Sequence, residues 1–173
     1  MIRPFQSHRT RLSHCFLGRS FAEKCCFSSD ARPSRAFYLH FERRQTRFND
    51  TDLFGHINNS VYYQYMDDGV NMHLINQGYG AQYPRFVAEN GMKYYKPLSF
   101  PHDVEIGLRV VQLGNKSVTY DVGLFSAESP ELAAQGKFVH VYVDTKTGRP
   151  VPIHEDVRAA LAKLQVDPSV AEL

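Results

Sequence analysis

Seven hydrophobic runs follow one another between residues 36 and 165, and their period changes along the chain. AFYLHFERRQTRFND (36–50) alternates, with Phe37, Leu39 and Phe41 on one side and charge gathering behind them, which predicts a strand. SVYYQYMDDGVNMHLINQGYG (60–80) changes to a helical period: Tyr62, Tyr65, Met66, Val70 and Ile75 recur on it. Asn59 or Ser60 is the expected N-cap and Gly78 the expected stop. Gly69 in mid-helix costs about 1 kcal/mol relative to Ala, so a neighbour is expected to pack closely against that face. Beyond Pro84 come four strand-like runs, 85–98, 103–114, 116–127 and 132–145, separated by SFPH, GN and ESPE. Gly114-Asn115 reads as a hairpin turn. A loop (147–156) and a short helix (155–165) with Val157, Leu161 and Leu164 on one face end the pattern, which holds no repeat and no low-complexity segment.

The order strand, helix, four strands, small helix predicts an α+β layer, with a five-stranded, mostly antiparallel sheet wrapped around one long central helix. One helix covers such a sheet poorly. A second copy is the expected remedy, giving a homodimer or homotetramer.

The chain has 173 residues, 43% of them hydrophobic and 22 of them Phe or Tyr, enough for one domain with a sizeable core. No apolar run approaches 18 residues, so no transmembrane helix is expected. The net charge of +2 conceals an asymmetry. Residues 1–33 carry six Lys/Arg against Glu23 and Asp30; the remainder is mildly acidic and has no basic field for nucleic acid. Residues 1–33 are also rich in Ser, and Phe5, Leu12, Phe16 and Leu17 gather loosely on one side of a helix. That composition predicts a mitochondrial transit peptide and a matrix location; the alternative is a basic tail on a cytoplasmic protein. The expected division is therefore 1–33 targeting segment, 34–166 domain and 167–173 tail. Cys15, Cys25 and Cys26 all lie in the first part, so the domain has no thiolate nucleophile, disulfide or cysteine metal site.

Reactive groups must come from elsewhere, and DTDLFGHINN (50–59) concentrates them just before the helix. The stretch RFNDTDLFGHINNSVYYQYMDD (47–68) resembles the signature of the hotdog-fold acyl-CoA thioesterases of the 4-hydroxybenzoyl-CoA thioesterase type. YYKPL in the second strand and GNKS at the next hairpin follow in the order found there, so the resemblance covers about 36–165. It implies a hotdog fold, hydrolysis of acyl-CoA to acid and CoA, and no cofactor. It places the catalytic carboxylate three residues before the turn glycine, at Asp52 with Gly55. A neighbouring pattern puts a His seven residues after the Asp, where this chain has Asn59; its own His is His56.

Thioester hydrolysis needs a base or nucleophile, donors for the carbonyl oxygen, and a dry acyl slot. Asp52 serves as either base or nucleophile, and the two routes stay open. Partial burial against Phe48, Phe54 and Tyr62 is expected to raise its basicity. Free N–H groups around Asn58, Asn59 and Ser60 form the natural oxyanion site. Gly55 permits close backbone approach, and His56 either orients Asp52 or serves structure. Lys116, with Asn115 and Ser117, matches the basic hairpin that meets the nucleotide in the family; Arg85, Lys93 and Lys96 are weaker candidates. Tyr62 lines core or substrate. The Asp50–Asp52 pair hints only weakly at a metal, and none is assigned. Asp67 or Asp68, matching an acidic pair on the family's central helix, is a reserve base. Two further readings stay open: a hotdog dehydratase or hydratase acting on acyl thioesters, and a non-catalytic hotdog subunit of a mitochondrial assembly.

Overall fold

The computed structural model describes residues 32–165. The expected targeting segment, apart from Arg32 and Pro33, and the expected tail 167–173 lie outside them. Strands β1 (His40–Arg44), β2 (Arg85–Tyr94), β3 (Val104–Leu113), β4 (Ser117–Ser126) and β5 (Leu132–Tyr142) form one antiparallel sheet in the order β1-β3-β4-β5-β2. Helix α1 (Asn59–Asn76) packs on its inner face, and α2 (Glu155–Ala162) closes one end. This is the hotdog fold.

Alternation explains the sheet. Val104, Ile106, Leu108 and Val110 of β3 and Val118, Tyr120, Val122 and Leu124 of β4 are buried in one core with Met66, Val70 and Leu74 of α1. Two glycines set how close helix and sheet come. A Cβ on Gly69 would stand 2.5 Å from Ile106 Cγ2, and one on Gly136 would collide with Met66 Sδ. The mid-helix glycine is therefore required by close approach, as its cost implied.

The helix face differs in one place from its reading. Ile75 is 48% exposed and Leu74 is buried in its stead, because burial follows 62, 65/66, 69/70, 73/74 and position 75 falls beside that stripe. The N-cap is Asn58, one residue earlier than expected, its Oδ1 accepting the Ser60 N–H at 3.0 Å. Gly78 does end the helix: at φ +84° it donates to Ile75 O, and Tyr79 donates to Leu74 O.

The first strand is shorter than the alternation suggested. A 3-10 turn at Arg35–Phe37 breaks the extended run, so the phase shifts. Tyr38 is buried in a second, smaller cluster with Phe125 and Leu132 on the sheet's outer face, while Leu39 is half exposed. Tyr38 fills the space left by Gly107 and Gly123, where a Cβ would collide with its ring. Beside it a buried ion pair joins Arg109 to Asp121, with Gln135 and the Tyr38 hydroxyl also donating to Asp121.

Candidate active site

The ten-residue stretch before α1 is a tight, closed turn. Thr51 and Ile57 bridge antiparallel across it, the Asp52 N–H donates to His56 O at 2.8 Å, and the Gly55 N–H returns to Asp52 O. Gly55 has φ +80°, and nothing lies within 4 Å of where its Cβ would be. It is needed for backbone conformation, and the space beside it is open. Asp52 Oδ1 accepts from the Phe54 N–H at 2.8 Å and the His56 N–H at 3.2 Å. Its Oδ2 takes part in no hydrogen bond among the described residues. The His56 ring is exposed, so His56 holds Asp52 through its backbone.

The helix start offers fewer free donors than its three residues suggested. The Asn58 N–H is taken by Asp50 O at 2.8 Å, and the Ser60 N–H by the Asn58 side chain. The Asn59 N–H remains unengaged among the described residues, at the positive end of the helix dipole. Beside it lies a polar depression of about 400 Å³ lined by Arg47, Asn49, Thr51, Ser60 and Gln64, among others.

Tyr62 is buried, and its hydroxyl accepts the Leu98 N–H at 2.9 Å; Leu98 O in turn accepts from Ile57. Burial pushes the Tyr62 phenol up, against the draw of the Leu98 N–H, and the nearby Asp52 charge adds to the rise. Of the aromatic wall expected around Asp52, only Tyr62 is inside. Phe48 and Phe54 stand 75% and 76% exposed, and Leu53 88%.

Asp50, in sequence only half of a weak metal pair, is the buried member of the two. Its carboxylate accepts from the Arg47 N–H (2.7 Å), the Arg47 guanidinium (3.0 and 3.2 Å) and the Tyr65 hydroxyl (3.0 Å). Burial works against its charge, but those bonds outweigh it and hold the carboxyl below its ordinary range. The R-x-x-D spacing was the available signal. No group of three or more ligating side chains suited to a metal occurs among the described residues.

Other candidates lie apart. Asp67 and Asp68 are solvent-facing, about 12 Å along the helix from its start. Asp67 accepts from Asn71, and Asp68 lies 3.7 Å from Arg44. Arg85 is committed to Asn71 and to the Tyr79 and Tyr83 carbonyls, and Lys96 to Glu131. The hairpin of Asn115, Lys116 and Ser117 joins the β3 and β4 ends that meet at Leu113–Val118, while the Asp52 turn joins the opposite end, through Leu98 and the Thr46–His102 bond. Ten-residue strands separate them by about 30 Å. One protomer does not bring Lys116 to Asp52.

The chain matches the family described as the Thioesterase-like superfamily over residues 46–161. No curated protein matches it. Among solved structures, the PA5185 protein from Pseudomonas aeruginosa strain PAO1 is 43% identical, with TM-score 0.75 over 79% of this chain and 98% of that one. A thioesterase from Thermus thermophilus, complexed with coenzyme A and Zn, is 29% identical, with TM-score 0.63 over 72% of this chain and 92% of that one. The 1,4-dihydroxy-2-naphthoyl-CoA thioesterase Slr0204 from Synechocystis shares the fold at 18% identity, with TM-score 0.66 over 72% and 96% of the two chains. Fold, turn and matched span agree: this chain belongs to the thioesterase-like superfamily, whose membership supports thioester hydrolysis.

Proposed function

We propose that the protein hydrolyses acyl-CoA to a free acid and CoA at the Asp52 turn. The observation that carries this is the carboxylate itself. Two turn N–H groups hold Asp52 by one oxygen, and among the described residues its other oxygen and the Asn59 N–H of the adjoining helix start have no hydrogen-bond partner. As base, Asp52 takes a proton from water, whose oxygen attacks the thioester carbon. The carbonyl oxygen gains charge facing the helix start, the C–S bond breaks, and the thiolate leaves to collect a proton. As nucleophile, Asp52 attacks the thioester carbon, the C–S bond breaks with loss of the thiolate, and water opens the mixed anhydride at the Asp52 carboxyl carbon. A single turnover in heavy-oxygen water separates the routes, because only the second labels Asp52.

The coenzyme A bound to the Thermus thermophilus relative supports CoA as the carrier. A homodimer completes the site. Strand β2 is a sheet edge with Phe86 and Val87 exposed. Antiparallel pairing of β2 with its copy reverses the second sheet. That places the partner's Lys116 hairpin at the Asp52 end of the first protomer. The same pairing gives Phe48, Leu53 and Phe54 a surface to line. The basic, Ser-rich residues 1–33 support a mitochondrial matrix location, to be read from import of a fluorescent fusion with and without them.

Thiol release from acetyl- through palmitoyl-CoA and an aromatic acyl-CoA tests the activity. Asp52→Asn should cut turnover by about a thousandfold while acyl-CoA binding persists; turnover retained within a few-fold removes Asp52 from the chemistry. Absence of thiol release from every ester would favour a dehydratase, seen as a double-bond absorbance change, or a non-catalytic subunit.

A further inference from the structure

We propose that Asp50 is the positioning residue of the site: it sets the start of α1, with its unused N–H, against the Asp52 carboxylate. The inference rests on the thioesterase reading.

Two aspartates lie two residues apart and have opposite surroundings. Asp50 is 3% exposed and fully engaged by Arg47 and Tyr65; Asp52 is partly exposed, with one oxygen that has no hydrogen-bond partner among the described residues. The Asp50 backbone is engaged as well. Its N–H donates to Arg47 O, and its carbonyl accepts from Asn58, the N-cap of α1. Asp50 thus grips the helix twice, at the cap through its backbone and at Tyr65 through its side chain. Seven residues of helix separate these grips, about 10 Å. Two attachments that far apart fix the direction of the helix axis as well as its origin. Thr51, the next residue, opens the bridge to Ile57 that closes the Asp52 turn. The carboxylate and the Asn59 N–H therefore belong to two segments that meet at Asp50.

The chemistry of the anchor calls for an anion. Every partner of the carboxylate is a donor: one backbone N–H, two guanidinium N–H groups and a phenol O–H. Asparagine has nearly the same shape, but its amide N–H₂ would face donors. Displacement of the helix start by about 1 Å suffices to cost about a hundredfold in rate.

The test uses the full chain, with thiol release as the rate and site-resolved amide exchange as the geometric readout. Asp50→Asn should lower kcat by about ten- to a hundredfold and leave KM within about threefold. Amide protection should fall at Asn58 while the β3 and β4 amides keep theirs. Tyr65→Phe, which removes one of the four bonds, should lower kcat by about three- to tenfold. The double variant should lose less than the product of the two effects. A folded Asp50→Asn with kcat within twofold of the parent overturns the proposal, as does a loss confined to KM or to melting temperature. Should Asp50→Asn fail to fold, unchanged kcat in Tyr65→Phe overturns it. Should the parent release no thiol from any ester, the thioesterase reading falls first. Exchange at Asn58 then decides the anchor separately, and unchanged protection overturns it.

Discussion

Single residues here answer to different constraints even when they share a type. Gly55 and Gly69 are both required, one by backbone angle and one by space. Gly55→Ala should cost about 1 kcal/mol, the expense of a left-handed Ala, with no repacking. Gly69→Ala would gain about 1 kcal/mol of helix propensity, but its methyl meets Ile106 Cγ2 at 2.5 Å, a branch held at the Ile106 Cβ that cannot swing away. Overpacking of about 1–3 kcal/mol outweighs the gain, and Ile106→Ala in the same chain should relieve it; urea midpoints decide both. Two buried histidines are set apart by charge. Burial, with His40 adding, lowers His73 to about 4, and burial, with Arg85 adding, lowers His140 to about 3. Both are neutral in the folded protein, so below about 6.5 the unfolded chain takes up protons that the fold refuses. Stability should therefore fall from about pH 6.5 toward pH 4 by about 1.4 kcal/mol per pH unit for each histidine. His140→Leu should remove close to half of that slope in urea unfolding followed against pH.

Among the elements, the strap of residues 34–39 ahead of β1 carries more than its length suggests. Arg35 pairs with Glu105 and lies over the Phe41 ring at 4.1 Å, and Tyr38 fills the outer-face cluster. A chain that begins at Ser34 should melt within a few degrees of the full chain. One that begins at His40 should lose about 3–5 kcal/mol, as for deletion of a buried aromatic, and thermal melts of the two separate the outcomes. The C-terminal end of α1 and the β3–β4 hairpin were legible from local chemistry: Gly78 stops α1, and Gly114 turns β3 into β4 through its bond with Ser117. The strap was not legible, because Tyr38 is buried only where two distant glycines leave room for its ring.

At the scale of the whole molecule, the ten-residue edge strand β2 has no partner on its outer side among the described residues, and the candidate site is open to solvent. Phe86→Asp changes a side chain that is 61% exposed in the protomer, so the fold should survive it. If β2 pairs with its copy, a charge on each side of the new ladder should halve the mass seen by light scattering and abolish thiol release with it. A dimer that persists in the variant would move the interface away from β2. Lys116→Ala should raise KM for CoA esters and leave a short non-CoA thioester unaffected, since only the former carries the phosphates. Equal effects on both would take Lys116 out of the CoA site.

The sequence by itself determined the order of elements, the helix and its glycine stop, the hairpin, and the turn on which the chemistry is proposed. These depend on residues within a few positions of one another: alternation, helical spacing, a turn glycine. Tertiary structure decided what depends on neighbours far apart in the chain. It put Leu74 rather than Ile75 against the sheet, gave Asp50 the interior and Asp52 the surface, and set Lys116 at the far end of the sheet from Asp52. Burial of one aspartate in preference to the other follows from a tyrosine two helical turns past the cap and an arginine three residues before, brought together only when the helix lies on the sheet.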